Sequence, residues 1–495
     1  MTLDPRTPVL VGGGQINARD GGIEPVDLMV SAAREAAAEA GSARLLEQVD
    51  TVWVVGLLSW RYRDPGLLVG ERIGAAGALR RTGYSGNGGS TPQVMVNAAA
   101  QDILAGRADV VLLGGAESWR TRMKLRAAGE RPEWTKQDET VGQAHIVVPD
   151  VPMEAESERR IGIDRPSYVY PLFEQARRIS AGNSIADHAQ EMGRLWSAFS
   201  KVAAGNPKAW TQKEYGADEL ITVSPGNRMI ASPYPKLLNS NNMVDQGAAL
   251  LMCSVGTARE LGIDPATWVF PQVGTESHDT DAIAARGALD RSPAIRIGAR
   301  EALAVAGLGL GDIEFVDVYS CFPSAVAIAA AEIGLPIDDP ARPLTCTGGL
   351  TFAGGPWNNY STHAIATVAT RLRENPGSYG LVTANSGYLT KHAFGIYSTT
   401  PPESGFSRHD VQNLVDAEPV TTEMISYAGT ARVESWTVVY GRDGLPEKAF
   451  VAAAPRSGER VLAVVTDADD LAAFAGEDVA GRDVRVGEAG DAVLS

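Results

Sequence analysis

The chain holds only three cysteines in 495 residues, Cys253, Cys321 and Cys346. No two stand in a CxxC spacing, so neither a zinc ribbon nor a thioredoxin-type pair is supported, and no metal site is expected. An odd, small number fits a reducing compartment. Long hydrophobic runs are missing as well. Stretches such as Ala325 to Ile333 are too short to cross a bilayer. The first residues carry Asp4 and Arg6 and show no signal-peptide core, so a cytoplasmic protein without membrane contact is the expectation. Positive charge is scarce: 44 Lys and Arg stand against 60 Asp and Glu, a formal charge of -16. That argues against wrapping nucleic acid or coating an anionic membrane. A small anionic ligand stays compatible, since it needs only a local positive potential.

Hydrophobic residues make up 44% and charged residues 21%, which is ordinary for a globular protein. The length suggests several domains with cores large enough to need no disulfides. Apolar β-type runs alternate with Ala-rich helical ones. Val9–Val11, Thr51–Val55 and Asp109–Leu113 read as strands, and 26–41 and 91–106 as helices. The same grammar returns later: helices at 296–307, 323–334 and 362–373, strands at 315–318 and 379–383. Alternation of this kind predicts a mostly parallel sheet covered by helices on both faces, here twice over. Between the two series, residues 122–235 read as an inserted lid, with a helix over 192–203. After about residue 410, short strands with an Asp443-Gly444 turn predict a small antiparallel barrel or sandwich.

Several segments resemble the thiolase superfamily, nearest its sterol-carrier and lipid-transfer branch. They are Val9–Gly14, Ala108–Ser118, Asp245–Ala249, Phe315–Phe322 and Gly348–Leu350 through Gly354–Pro356. The resemblance implies an α/β, five-layered αβαβα fold of two similar halves, acetyl-CoA acetyltransferase-like in ancestry. The expected division is 1–260, 261–409, and a β-rich, OB-like domain over 410–495. It also implies coenzyme A thioesters as ligand or substrate, with no other cofactor. By family analogy the chain is a homodimer, with a monomer left open.

The residues that do thiolase chemistry are replaced. In the resemblance the nucleophilic cysteine falls on Gly89, the water-binding Asn or His on Tyr319, the oxyanion-hole His on Gly355 and the acid/base Cys on Asn385. Without a thiolate there is no covalent acyl intermediate, and without His and Cys no oxyanion donor and proton shuttle. Ser90 reads as a helix N-cap before Pro92, since no base lies near it in sequence. Asn242 takes the place of the family's ligand-side serine. Tyr319, Tyr360, Tyr388 and His392 complete the candidate pocket. Three readings follow: a thioester-binding protein that runs neither thiolysis nor Claisen condensation, a retro-aldolase of β-hydroxyacyl-CoA using tyrosines as acid and base, or a non-enzymatic acyl-CoA or lipid scaffold.

Overall fold

The computed structural model describes residues 3–150 and 152–495. The first sheet is built from β1 (Pro8–Asn17), β2 (Thr51–Val54), β3 (Arg81–Ser85), β4 (Val110–Ser118), β5 (His145–Val148) and β6 (Asp245–Ser254). Its order is β1-β6-β4-β2-β3-β5. The second contains β7 (Phe270–His278), β8 (Ile313–Asp317), β9 (Tyr379–Ser386), β10 (Lys391–Ser398) and β11 (Ser407–Asp410), ordered β8-β9-β10-β7-β11. Both sheets repeat one directional pattern. From β2 through β4 and β6 to β1 the pairings run parallel, antiparallel, antiparallel. From β8 through β9 and β10 to β7 they run the same way. This is the duplication read from the sequence, now visible as topology.

The mostly parallel arrangement of the sequence reading holds with one exception in each sheet: β6 and β10 oppose both of their neighbours. Every residue of β6 is buried, and burial on both faces gives the continuous apolar run usually met in parallel strands. Such a run reports covering, not direction. For β10 the direction follows from the short turn after β9, which only an antiparallel partner can accept.

Helices α1 (Pro25–Glu39), α2 (Thr91–Leu104), α3 (Trp119–Ala127), α4 (Pro166–Ala181), α5 (Ile185–Gly205), α6 (Pro293–Ala306), α7 (Pro323–Ile333), α8 (Tyr360–Glu374) and α9 (Ala468–Gly476) complete the main elements. α1 covers the outer face of the first sheet, and α6 the outer face of the second, where it also meets α7. α2 and α8 lie between the sheets and touch strands of both. Both carry buried faces for that reason: Met95, Val96, Ala99, Ala100 and Ile103 on α2, Ala364, Ile365, Val368 and Leu372 on α8. The layers are therefore αβαβα.

The last part of the chain forms β12 (Glu423–Met424), β13 (Gly429–Tyr440), β14 (Pro446–Pro455), β15 (Arg460–Val465), β16 (Asp483–Val486) and β17 (Ala492–Leu494), in the order β12-β15-β14-β13-β16-β17. All pairings but β12–β15 are antiparallel. Trp436 and Phe474 of α9 centre its core. The inserted region reaches into this sheet: Val439 of β13 pairs with Ala231, and Ser435 donates to the Leu172 carbonyl of α4. Arg178 of α4 holds Asp478 with both guanidinium ends at 2.8 Å.

Candidate functional site

The four positions of the thiolase pattern come from three loops and the end of one strand. Gly89 precedes α2, Tyr319 follows β8, Gly355 precedes α8, and Asn385 lies near the end of β9. The two central helices begin there, so their N-termini bring these loops together. A Cβ on Gly89 would overlap the Tyr319 Oη and lie 2.6 Å from the Asn385 carbonyl oxygen. The phenol thus fills the space that a side chain at position 89 would need. Asn385 donates from Nδ2 to the Tyr170 Oη at 2.9 Å, and its buried Oδ1 has no partner among the described residues. Tyr319, Thr383, Asn385 and His392 share a chamber of about 10 Å³ with Ile295, Leu389 and Phe394. A space of that size holds at most one water molecule.

Gly355 stands slightly apart. A Cβ there would lie 2.9 Å from Asn242 Oδ1, so Asn242 borders this position rather than the chamber. Ser90 occupies the N-cap position of α2, but its hydroxyl bonds Ser386 Oγ at 2.6 Å instead of capping the helix. Ser90 and Ser386 tie the α2 entry to β9 directly beside Asn385. Tyr360 packs edge-on against Tyr319, ring centroids 5.5 Å apart. Its hydroxyl donates to Asp317 Oδ1 at 2.9 Å and shares a 2.6 Å bond with Thr347. Burial pushes the Asp317 carboxyl up, against bonds from the Cys346 N–H and Tyr360. Tyr388 is buried outside the chamber. Burial, then the carboxylates of Glu154, Asp164 and Glu158, push its hydroxyl up.

His392 Nε2 lies 3.3 Å from the Leu389 carbonyl and 3.7 Å from Asp279 Oδ2. Burial works to raise the Asp279 carboxyl, and Arg286, His392 and Ser292 overcome it and hold it at about 2. Lys391 instead turns to Asp281 at 2.7 Å. Burial pushes the thiols of Cys253 and Cys321 up to about 12 and that of Cys346 up as well, so none is a thiolate at neutral pH. His363 is buried against Gln15, and burial lowers it to about 3.

Tyr170, Thr383, Ser386, Asp279 and Asp317 escaped the sequence reading. Ser386 adjoins Asn385 and was within reach of it. Tyr170 sits on the inserted α4, 215 residues away, and no local spacing points to it.

Glu117, next to last in β4, is fully buried and accepts from the Leu58 and Ser59 N–H groups at 2.7 and 2.8 Å. Burial pushes its carboxyl up to about 7. The folded chain then keeps a proton that the unfolded chain loses near pH 4.5. The stability from this group is full below the unfolded value and is lost as pH rises through about 7. Glu117→Gln is expected to remove that slope, an effect on the order of 1–3 kcal/mol. Urea midpoints at pH 5 and pH 8 check it: the variant should gain on the parent at the higher pH.

Two sheets repeating one strand pattern, two central helices and converging loops at their N-termini define a member of the thiolase superfamily. Over residues 410–491 the chain matches the thiolase-like protein type 1 additional C-terminal domain. It superposes on the crystal structure of a monomeric SCP2-thiolase-like protein type 1 from Mycobacterium smegmatis, with 34% identity, TM-score 0.84 and 100% of both chains covered. The chain belongs to this family, the SCP2-thiolase-like proteins of type 1. With an Ltp2-ChsH2(DUF35) aldolase it shares the fold, at 20% identity and TM-score 0.57, over 80% of this chain and 98% of that one. The acetyl-CoA acetyltransferase of Methanothermobacter thermautotrophicus is 27% identical over 220 residues, 42% of this chain. The chain spans about half of that relative, 55% of its length.

Proposed function

We propose that this chain takes coenzyme A thioesters and runs neither thiolysis nor Claisen condensation. The observation that carries the negative half is the Tyr319 phenol in the space of a side chain at position 89. The thiols support it: none is ionised at neutral pH, and Cys321 stands 3.9 Å from an amide, not beside a base. The thioester half rests on the acetyl-CoA acetyltransferase relative and on Asn242 beside Gly355. The expected outcome is saturable binding of an acyl-CoA by calorimetry with no thiolysis of acetoacetyl-CoA. A robust thiolytic rate abolished by replacing any one cysteine overturns the reading. The cytosol is the proposed compartment, in keeping with the small, odd number of cysteines, all three buried and free.

A second reading, retro-aldol cleavage of a β-hydroxyacyl-CoA, draws on one feature. Tyr360 donates to a buried carboxylate, Asp317, and its ring packs edge-on against Tyr319, which puts two phenols, one of them carboxylate-bonded, side by side at the site. Tyr388 lies outside this pair. Equal cleavage rates in the parent, Tyr319→Phe and Tyr360→Phe would remove it.

A further inference from the structure

Helix α3 is an electrostatic exception in this acidic chain. It carries Arg120, Arg122, Lys124 and Arg126 in nine residues with no acid among them, and Arg131 follows. None of the five is in an ion pair among the described residues. Among the described residues the guanidinium of Arg120 donates to the Arg19 carbonyl and that of Arg122 to the Leu58 carbonyl. Lys124, Arg126 and Arg131 are exposed. Clustering unpaired cations costs self-repulsion, which an anion relieves.

A cleft of about 840 Å³ lies along this helix. That is within the usual range for a small-molecule site. Arg120 and Lys124, one turn apart on the same helix face, form one wall with Arg131. Asp20, Glu130 and Glu133 also line it. The lining is thus balanced in formal charge, and the part of it free of carboxylates is the α3 face of Arg120 and Lys124.

The helix is also fastened to the thiolase-type loops. The Arg120 N–H donates to the Val244 carbonyl, two residues from Asn242. The Trp119 ring meets Trp357, two residues after Gly355, at 5.1 Å between centroids. The guanidinium groups of Arg19 and Arg120 lie 5.4 and 5.8 Å from the Trp210 ring, and the Trp210 backbone N–H donates to the Ala353 carbonyl at 2.9 Å. Arg120 and Lys124 stand about 6 Å apart along the helix, so the basic wall begins beside the Asn242–Gly355 edge and continues to Arg131.

We propose that the α3 cleft binds the phosphate groups of the ligand while its thioester end lies toward Asn242 and Gly355. This rests on the thioester reading above. The test is calorimetry on the full chain with coenzyme A, inorganic pyrophosphate and pantetheine, in Lys124→Glu, Arg131→Glu and their double variant. Neither side chain makes an ion pair, so folding should be unaffected. Arg259→Glu, an exposed cation on another helix, controls for net charge.

Expected is a loss of affinity of about tenfold or more in the double variant for coenzyme A and pyrophosphate, deepening as salt is lowered. Pantetheine should be unaffected, and Arg259→Glu close to the parent. If the parent binds coenzyme A and the double variant binds it equally, the α3 site is overturned and the thioester reading stands. If pyrophosphate binds and is lost on reversal while coenzyme A does not bind, the anion site stands and the thioester reading falls. If the parent binds neither, both are overturned.

Discussion

Gly89→Cys, which restores the thiolase nucleophile on paper, is expected to destabilise the protein and yield no thiolytic turnover. The new Cβ would collide with the Tyr319 Oη and press on the Asn385 carbonyl oxygen at 2.6 Å. Overpacking of this kind typically costs about 1–3 kcal/mol, and here one obstacle is backbone that cannot rotate away. The thiol would also be poorly activated. The N-terminus of α2 favours a thiolate, but the nearest polar neighbours are a carbonyl oxygen and a phenol. The measurement is the urea midpoint at constant m-value, together with an acetoacetyl-CoA assay. Gly89→Cys with Tyr319→Ala should recover part of the loss, because removing the phenol empties the contested space. Strict additivity of the two changes would mean that they do not compete for it.

Glu174→Ala is expected to cost about 3–5 kcal/mol, the usual penalty for leaving buried partners of a charge uncompensated. Glu174 is fully buried on α4. One oxygen bonds His188 of α5 and Arg177 at 2.7 Å each; the other accepts from the Tyr234 Oη at 2.6 Å. Tyr234 in turn accepts from the Ser324 N–H in the first turn of α7. Burial works to raise this carboxyl, and Arg177, His188 and Tyr234 together hold it below the usual range. One carboxylate therefore locks the inserted helices to the second half of the fold. Its contribution is present above the unfolded value and lost as pH falls through the folded one. Glu191→Ala is the comparison. Glu191 meets Arg177 at 2.9 Å while partly exposed, and should cost under about 1 kcal/mol. Chemical denaturation of both variants at pH 7 separates the two cases.

Much of the fold was legible because burial and periodicity are local. The helix read over 192–203 runs Ile185–Gly205, longer at both ends, since Ser184 caps it from outside the apolar stretch. The helix read over 362–373 begins at Tyr360, because Trp357–Asn359 already turn before it. Strand direction was legible except at one strand in each sheet: β6 carries the composition of a parallel strand with antiparallel neighbours. At the site, the missing thiolase groups at 89, 319, 355 and 385 could be read as identities. What occupies their room could not. Tyr319 filling the space at Gly89 is a distance between loops 230 residues apart, and Tyr170 against Asn385 one of 215. Such facts exist only after folding.

β5 is four residues long and lies at the margin of the first sheet, joined to β3 from Gly83–His145 to Ser85–Val148. It comes from the inserted region, so the chain supplies its own cover for an edge that would otherwise template another strand. A strand from any other molecule can reach β3 only by competing with a tethered one, present at an effective concentration no free partner matches. Sheet extension on that side must otherwise add to the outer edge of β5 itself, and four residues make that edge a short template.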